Sequence, residues 1–212
     1  MSITEKSGLN QTRRNWSSRV KARKKDRQNL SEYGPNAPQF AERLWIPMSK
    51  LNFALKLWSP KKTGCVVTEW PESRITPIKE ILVVKSCISH WHNSVPWENT
   101  GIYQQMMDYI KLHGKVDRMQ SREDIETRYK ELDQIYNSVL QTHCLRTRQE
   151  LIKGNFREEG GILVHIGPDG MPYFGGKGHH RLAVAIAAGL ERIPAQLGVV
   201  HIDGLSALPA YR

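Results

Sequence analysis

The sequence predicts an α+β fold, and three features of its second half carry that prediction. Short apolar runs at residues 162–166 and 171–174 flank a Pro-Asp-Gly turn, which is typical of two strands in a hairpin. An apolar stripe with helical spacing extends from residue 125 to residue 139. An alanine-rich helix at 182–190, apolar on every side, leads into a last strand at 193–200.

The net charge of +10 is concentrated in the first part of the chain. Residues 1–80 carry +9 and residues 81–212 carry +1, and the first 27 residues alone account for +7. A polar, like-charged block repels itself, so we expect residues 1–40 to form a disordered basic arm. The arm is either a solubilising tail or a grip on nucleic-acid phosphates. The residues expected to make such a grip are Arg19, Lys21, Arg23, Lys24, Lys25 and Arg27.

Several classes of protein are excluded at this level. The longest apolar stretch, Leu182 to Leu190, is about half as long as a membrane-spanning helix, and no apolar segment follows the N-terminal charges. We therefore expect neither a membrane association nor a secretory signal. Cys65, Cys87 and Cys144 are too few and too scattered for a disulfide framework or a zinc site, so a reducing cytoplasm is the expected compartment.

Residues 41–75 are rich in aromatic side chains and prolines, and we expect them to pack on a main domain at 76–212 rather than to fold alone. The β-branched run from Pro77 to Val84 predicts a strand, and residues 90–97 read as a loop. His90 and His92 in that loop have the spacing of a metal pair, but no third ligand stands nearby, so we expect no metal site.

Two helices should follow that loop. Thr100 and Gly114 are suited to cap the two ends of the first helix. The second helix should begin at a capping box formed by Ser121 and Asp124. Its apolar positions are spaced four and three residues apart, which predicts one buried face. These positions are Ile125, Tyr129, Leu132, Tyr136 and Val139.

The strongest candidate site is the glycine loop at residues 175–178 and the start of the helix behind it. A helix N-terminus attracts anions, and glycines let a phosphate approach the backbone closely. Basic side chains in a first helical turn oppose the helix dipole, and a bound anion would reverse that penalty. The alternative is a tight turn with coincidental basic residues. The predicted phosphate-binding residues are Lys177, Gly178, His179, His180 and Arg181.

The hairpin, the Gly178–Arg181 box, the apolar helix and Ile193-Pro194-Ala195 together resemble the ParB/sulfiredoxin superfamily. The resemblance implies a small mixed sheet with flanking helices, a helical insertion at about 98–150 and a nucleotide or other phosphate held by the box. His179 stands where sulfiredoxin has its catalytic cysteine, so sulfinic-acid reduction by that route is excluded. Lys177 stands where the related serine kinases have an acidic residue.

From this resemblance and the box we expect a nucleotide or phosphorylated small molecule as ligand, with Mg²⁺ as its companion ion. Phosphotransfer or nucleotide hydrolysis would use Glu159 as a base or metal ligand and His180 as a proton shuttle. Such binding should be lost in Arg181→Ala and kept after deletion of residues 1–27. One alternative is a DNA- or RNA-associated protein that uses the basic arm, and another is an interaction protein with a vestigial site.

Overall fold

The structure is a computed structural model, in which we describe the backbone of residues 3–212 and the side chains of residues 11–13 and 15–212. Helices are combined with one seven-stranded mixed sheet, which confirms the predicted α+β class. The chain forms two compact units, each assembled from separate stretches of sequence. Unit 1 consists of the chain up to Thr76, Arg146–Gly178 and Glu191–Arg212, and unit 2 consists of Pro77–Leu145 and His179–Leu190. Neither unit coincides with the predicted segments 1–40, 41–75 and 76–212.

The sheet has the strand order β1-β7-β5-β6-β2-β4, and β3 pairs with β7 beside β1. The strands are β1 Arg43–Pro47, β2 Phe53–Ala54, β3 Cys65–Val67, β4 Thr76–Pro77, β5 Ile162–Ile166, β6 Pro172–Phe174 and β7 Arg192–His201. The α-helices are α1 Ile3–Tyr33, α2 Leu82–Asn93, α3 Ile102–His113, α4 Arg122–Thr142, α5 Arg148–Leu151 and α6 His179–Ala187. The segment at 41–75 thus supplies three strands of the sheet.

Strand β7 lies between two different sets of neighbours. On one side it runs parallel to β5, and on the other its first half is antiparallel to β1 while its last residues run parallel to β3. Pairing with β1 reaches Gln196 and pairing with β3 starts at Val199, so the backbone at residues 197 and 198 falls between the two partners. Local groups fill this gap: Thr63 Oγ1 donates to the Leu197 carbonyl, and the Gly64 N–H donates to the Gly198 carbonyl at 2.7 Å.

The expectation of a disordered arm is wrong for residues 3–33, which form helix α1, and residues 1–2 lie outside the described residues. Small and polar side chains on one face of α1 pack it against the rest of unit 1. Ala22 packs with Phe40 and Ala41, and Asn29 Nδ2 donates to the carbonyls of residues 38 and 64 at 2.6 and 2.7 Å. The composition revealed the charge but not these tertiary contacts.

Unit 2 contains α2, α3, α4 and α6, and most of its predicted features are confirmed. The capping box of Ser121 and Asp124 begins α4, and the five residues of the predicted stripe are all buried. Gly114 ends α3 with a positive φ of 77°. Helix α6 ends in a Schellman motif, since Gly189 has φ 65° and the Leu190 N–H donates to the Ala185 carbonyl at 3.0 Å.

The predicted strand at residues 78–84 is wrong. Residues 78–80 form a 3₁₀ turn, and Leu82 begins α2, which continues through His90 and His92 to Asn93. Val83, Val84 and Cys87 are buried at helical spacing against α6. Packing therefore overrides the β propensity of this β-branched run.

None of the helices in the described part of the chain is both long and apolar enough to cross a membrane.

Gly198 on β7 provides a test of packing in unit 1, and Gly189 after α6 serves as its control. A Cβ on Gly198 would overlap Nδ1 of the fully buried His165, whereas a Cβ on Gly189 meets no atom within 4 Å. We expect Gly198→Ala to lower the free energy of unfolding by about 3 kcal/mol, at the upper end of overpacking costs. Gly189→Ala carries backbone strain alone and should cost about 1–2 kcal/mol. Urea unfolding of both variants measures the difference, and equal losses would contradict the overlap.

Candidate functional site

A cleft of about 490 Å³ on unit 1 brings several predicted site residues together. This volume falls within the range of about 300–1,000 Å³ that is usual for small-molecule sites. Its wall includes Lys177 and Gly178 from the predicted box, Glu159 from the predicted catalytic pair and Lys21 from the predicted arm. We call it the lysine cleft. Its other lining residues are Phe40, Pro60, Lys61, Thr63, Gly160, Gly161, Leu163 and Gln196.

Three lysines reach the lysine cleft from separate elements. Lys21 lies on α1, Lys61 lies in a 3₁₀ turn that Ser59 caps, and Lys177 lies in the loop between β6 and α6. Across the part of the chain that the structure describes, none of these three ammonium groups forms a salt bridge. Like charges gathered without partners raise the local potential and favour an anionic ligand.

The docking of α1 holds Lys21 at the lysine cleft. Ser18 Oγ, one turn earlier on the helix, donates to Glu159 Oε2 at 2.7 Å. Asp26, one turn later, accepts from the Phe40 N–H at 2.7 Å and pairs with Arg157 at 2.8 Å. The helix is thus fixed on both sides of Lys21.

The adjacent glutamates have different environments. Glu158 is fully buried, and its carboxylate accepts from the backbone N–H of Arg148 at 3.0 and 3.1 Å, at the start of α5. Glu159 lines the lysine cleft and accepts from Ser18. Of these two glutamates, Glu159 is therefore the one that lines the cleft.

Packing alone accounts for much of the glycine loop. Gly178 has φ 85°, and a Cβ there would lie 2.9 Å from Ile162 Cα. Gly176 has φ 80°, and a Cβ there would lie 2.9 Å from Lys56 Cγ. Both positions require glycine whether or not a phosphate binds, so the glycines are weaker evidence for a ligand than the sequence suggested.

His165 lies between Gly175 and Gly198 and is fully buried on β5. Its Nδ1 accepts from the Val199 N–H at 3.0 Å, so the ring is neutral and carries its proton on Nε2. Nε2 has no hydrogen-bond partner among the described residues, and the ring meets Trp58 edge to face. Burial lowers the pKa of His165 to about 3. These contacts give His165 a packing role within the sheet of unit 1.

The predicted box is divided between the two units. Lys177 and Gly178 belong to unit 1, whereas His179, His180 and Arg181 form the first turn of α6 in unit 2. Within unit 2, His180 Nε2 lies 3.2 Å from the hydroxyl of Tyr129. Burial, assisted by nearby Arg128, lowers the pKa of His180 to about 4. His180 is therefore neutral near pH 7, which favours a packing role over phosphate binding.

The remaining predicted arm residues lie on α1 away from the lysine cleft. Arg19 is exposed, with its guanidinium 5.9 Å from the centre of the Phe156 ring. The side chains of Arg23, Lys24 and Arg27 are exposed, and that of Lys25 is half-buried.

The two histidines of the suspected metal pair have other contacts. His90 Nε2 faces Asp133 at 3.4 Å, while His92 Nε2 lies 2.8 Å from the Ala187 carbonyl oxygen. Over the described residues, no group of three or more His, Cys, Asp or Glu side chains is placed to hold a metal ion.

Sequence reasoning missed Lys61 and Ser18 as members of the site. Ser59-Pro60 does mark the turn that carries Lys61, because serine caps and proline starts such turns. Nothing local indicates that this turn lines the same cleft as Lys177, which is far away in the sequence. Ser18 similarly gains its role only through the docking of α1.

Comparisons of the chain with protein-family models, with curated proteins and with solved structures find no match. The resemblance to the ParB/sulfiredoxin superfamily therefore stays a prediction.

The low pKa of His165 predicts a pH-dependent stability. Unfolding returns the pKa from about 3 to the ordinary value of about 6.5, so the unfolded state binds the proton first as pH falls. Stability is thus complete above about pH 6.5 and declines below it by about 1.4 kcal/mol per pH unit. The free energy of unfolding is measured with urea at about pH 6.5 and at about pH 5. Between these two pH values, the original protein should lose roughly 2 kcal/mol more stability than His165→Asn. Equal losses in the two proteins would show that His165 does not titrate in this way.

Proposed function

We propose that the lysine cleft binds a small molecule that carries phosphate, with a nucleotide as the first candidate class. The observation that supports this most is the convergence of Lys21, Lys61 and Lys177 without salt-bridge partners among the described residues. Glu159 is the acidic side chain in the same wall. The lining side chains therefore carry a formal charge of three positives against one negative, which suits a ligand with about two negative charges, such as a phosphate monoester.

A nucleotide also fits the apolar part of the wall. Phe40 and Pro60 lie beside the lysines, and Phe40 is 8% exposed. A base or ribose could cover these apolar side chains while the phosphates contact the ammonium groups. Because the cleft is partly shielded from water, each lysine–phosphate contact is worth more there than on an open surface.

If the cleft catalyses phosphotransfer or hydrolysis, Glu159 is the carboxylate that would take part, either as a ligand of Mg²⁺ or as a general base. Mg²⁺ in nucleotide sites is commonly held by one or two carboxylates together with the phosphates themselves. Glu159 can supply one carboxylate, and the Ser18 hydroxyl holds that carboxylate in a fixed orientation. Alternatively, the same carboxylate would accept a proton from the attacking hydroxyl or water.

The proposal predicts a different effect on phosphate binding when the N-terminal residues are deleted. Lys21 lies on α1, so removal of residues 1–27 would take away a ligand-binding lysine and the hydrogen bond between Ser18 and Glu159. We therefore expect this deletion to weaken phosphate binding, contrary to the expectation from the sequence.

We predict that Lys21→Ala, Lys61→Ala and Lys177→Ala each weaken binding of a nucleoside triphosphate by about five- to tenfold. Each variant loses one charge-assisted contact, which is worth about 1–1.5 kcal/mol at a partly exposed position. Calorimetry with a panel of nucleotides and with inorganic phosphate, each with and without Mg²⁺, measures the effect.

The matched control is Lys153→Ala, an exposed lysine of unit 1 outside the lysine cleft. It removes the same charge and should leave the affinity unchanged. Absence of binding by every nucleotide and by phosphate would refute the proposal, and so would an equal loss in the control.

We further predict that Glu159→Gln has opposite effects on phosphate binding without Mg²⁺ and with Mg²⁺. The glutamine can still accept from Ser18, so the local structure should persist. Without Mg²⁺, loss of the negative charge should tighten phosphate binding by a few fold. With Mg²⁺, the variant should lose the additional affinity that the ion gives the original protein. Calorimetry under both conditions tests this, and an unchanged response to Mg²⁺ would remove Glu159 from the metal-binding role.

A further inference from the structure

Helix α1 has a second face that takes no part in the lysine cleft. Ser18, Ala22 and Asn29 mark the side docked on unit 1. Trp16, Val20 and Leu30 lie on the opposite side and are 68%, 48% and 56% exposed.

The exposed side of α1 is strongly basic. A shallow depression of about 480 Å³ runs along it, lined by Val20, Arg23, Lys24, Arg27, Gln28 and Ser31. Asp26 is the only acidic residue of the sequence between positions 11 and 31, and Arg157 pairs with it on the docked side. The outward face therefore presents cations beside an exposed indole, with no carboxylate from this stretch to neutralise them.

We propose that this outward face of α1 binds single-stranded nucleic acid. The phosphates would follow the basic depression, and a base would stack on Trp16. Trp16 and Arg27 are about 16 Å apart along the helix, at 1.5 Å per residue. A basic track combined with an aromatic platform is the usual arrangement of proteins that bind single strands without sequence preference.

The exposed indole of Trp16 favours a single strand over a duplex. Trp16 can stack only on a base whose face is accessible, and a duplex hides those faces.

The pattern of side chains also disfavours a membrane surface. A helix that lies in a lipid interface buries a continuous apolar face. Here Arg23, Lys24 and Arg27 separate Val20 from Leu30, so no such face exists on the described outward side of α1.

The test is fluorescence anisotropy with a labelled oligothymidine of about 20 nucleotides, longer than the roughly 4–16 nucleotides that one such site covers. Salt is varied between about 50 and 200 mM. The combined variant Arg23→Ala, Lys24→Ala and Arg27→Ala should bind at least tenfold more weakly. Its slope of log affinity against log salt should fall by about 2, because each phosphate contact with a single strand contributes about 0.7.

A matched control removes three exposed lysines elsewhere, with the combined changes Lys79→Ala, Lys130→Ala and Lys153→Ala. The control loses the same charge and should keep the original slope. Trp16→Ala should weaken binding about tenfold without changing the slope, because stacking carries no charge. Leu112→Ala, at another exposed apolar residue, should have no effect.

Three results would overturn the inference: equal weakening in the two triple variants, binding of a duplex of equal length as tight as that of the single strand, or recruitment to anionic vesicles without oligonucleotide binding. None of these variants alters Lys21, Lys61, Lys177 or Glu159. A negative result with the oligonucleotide thus does not affect the proposal for the lysine cleft. Likewise, absence of nucleotide binding in the cleft does not affect the proposal for the outward face of α1.

Discussion

The change of partner along one edge of β7 is the constraint on which the lysine cleft depends. Between the end of β1 and the start of β3, the carbonyl groups of residues 197 and 198 have no strand partner on this edge of a buried strand. Such groups are costly to leave unsatisfied. Thr63 and Gly64 satisfy them, and this fixes the turn that carries Lys61. Gln196, next along the strand, accepts from the Gly160 N–H at 2.8 Å and so fixes the backbone beside Glu159. The cleft is thus built from the groups that complete the sheet.

Helix α1 adds Lys21 to the cleft, and it carries basic side chains on two different faces. Its docked side delivers Lys21 to the cleft and orients Glu159 through Ser18. Its outer side keeps most of its basic side chains in solvent. In our two proposals, one helix contributes both to a cleft that binds a small ligand and to an open surface that binds a polymer. The net charge of the chain alone cannot distinguish these two uses.

Local sequence signals predicted the elements well where the chemistry is local. The capping box of Ser121, the turn before Gly170 and the helix end at Gly114 all depend on residues a few positions apart. Prediction failed where distant contacts decide. Residues 78–84 became a turn and a helix because α2 packs on α6, and the basic segment became a helix because unit 1 offers it a docking surface. The cleft could be anticipated only in part, since Lys177 and Glu159 stood out but Lys61 did not.

The central position of β7 has a consequence for how the protein is made. Translation adds β7 after every other strand of the sheet, yet β7 joins β1, β3 and β5. Until β7 emerges from the ribosome, β1 and β3 have no strand to pair with. The residues around the cleft then lack the strand that positions them. Unit 1 must therefore complete its sheet after β7 has been synthesised. Strands β1 and β3 stay unpaired until then, and unpaired apolar strands are prone to aggregate.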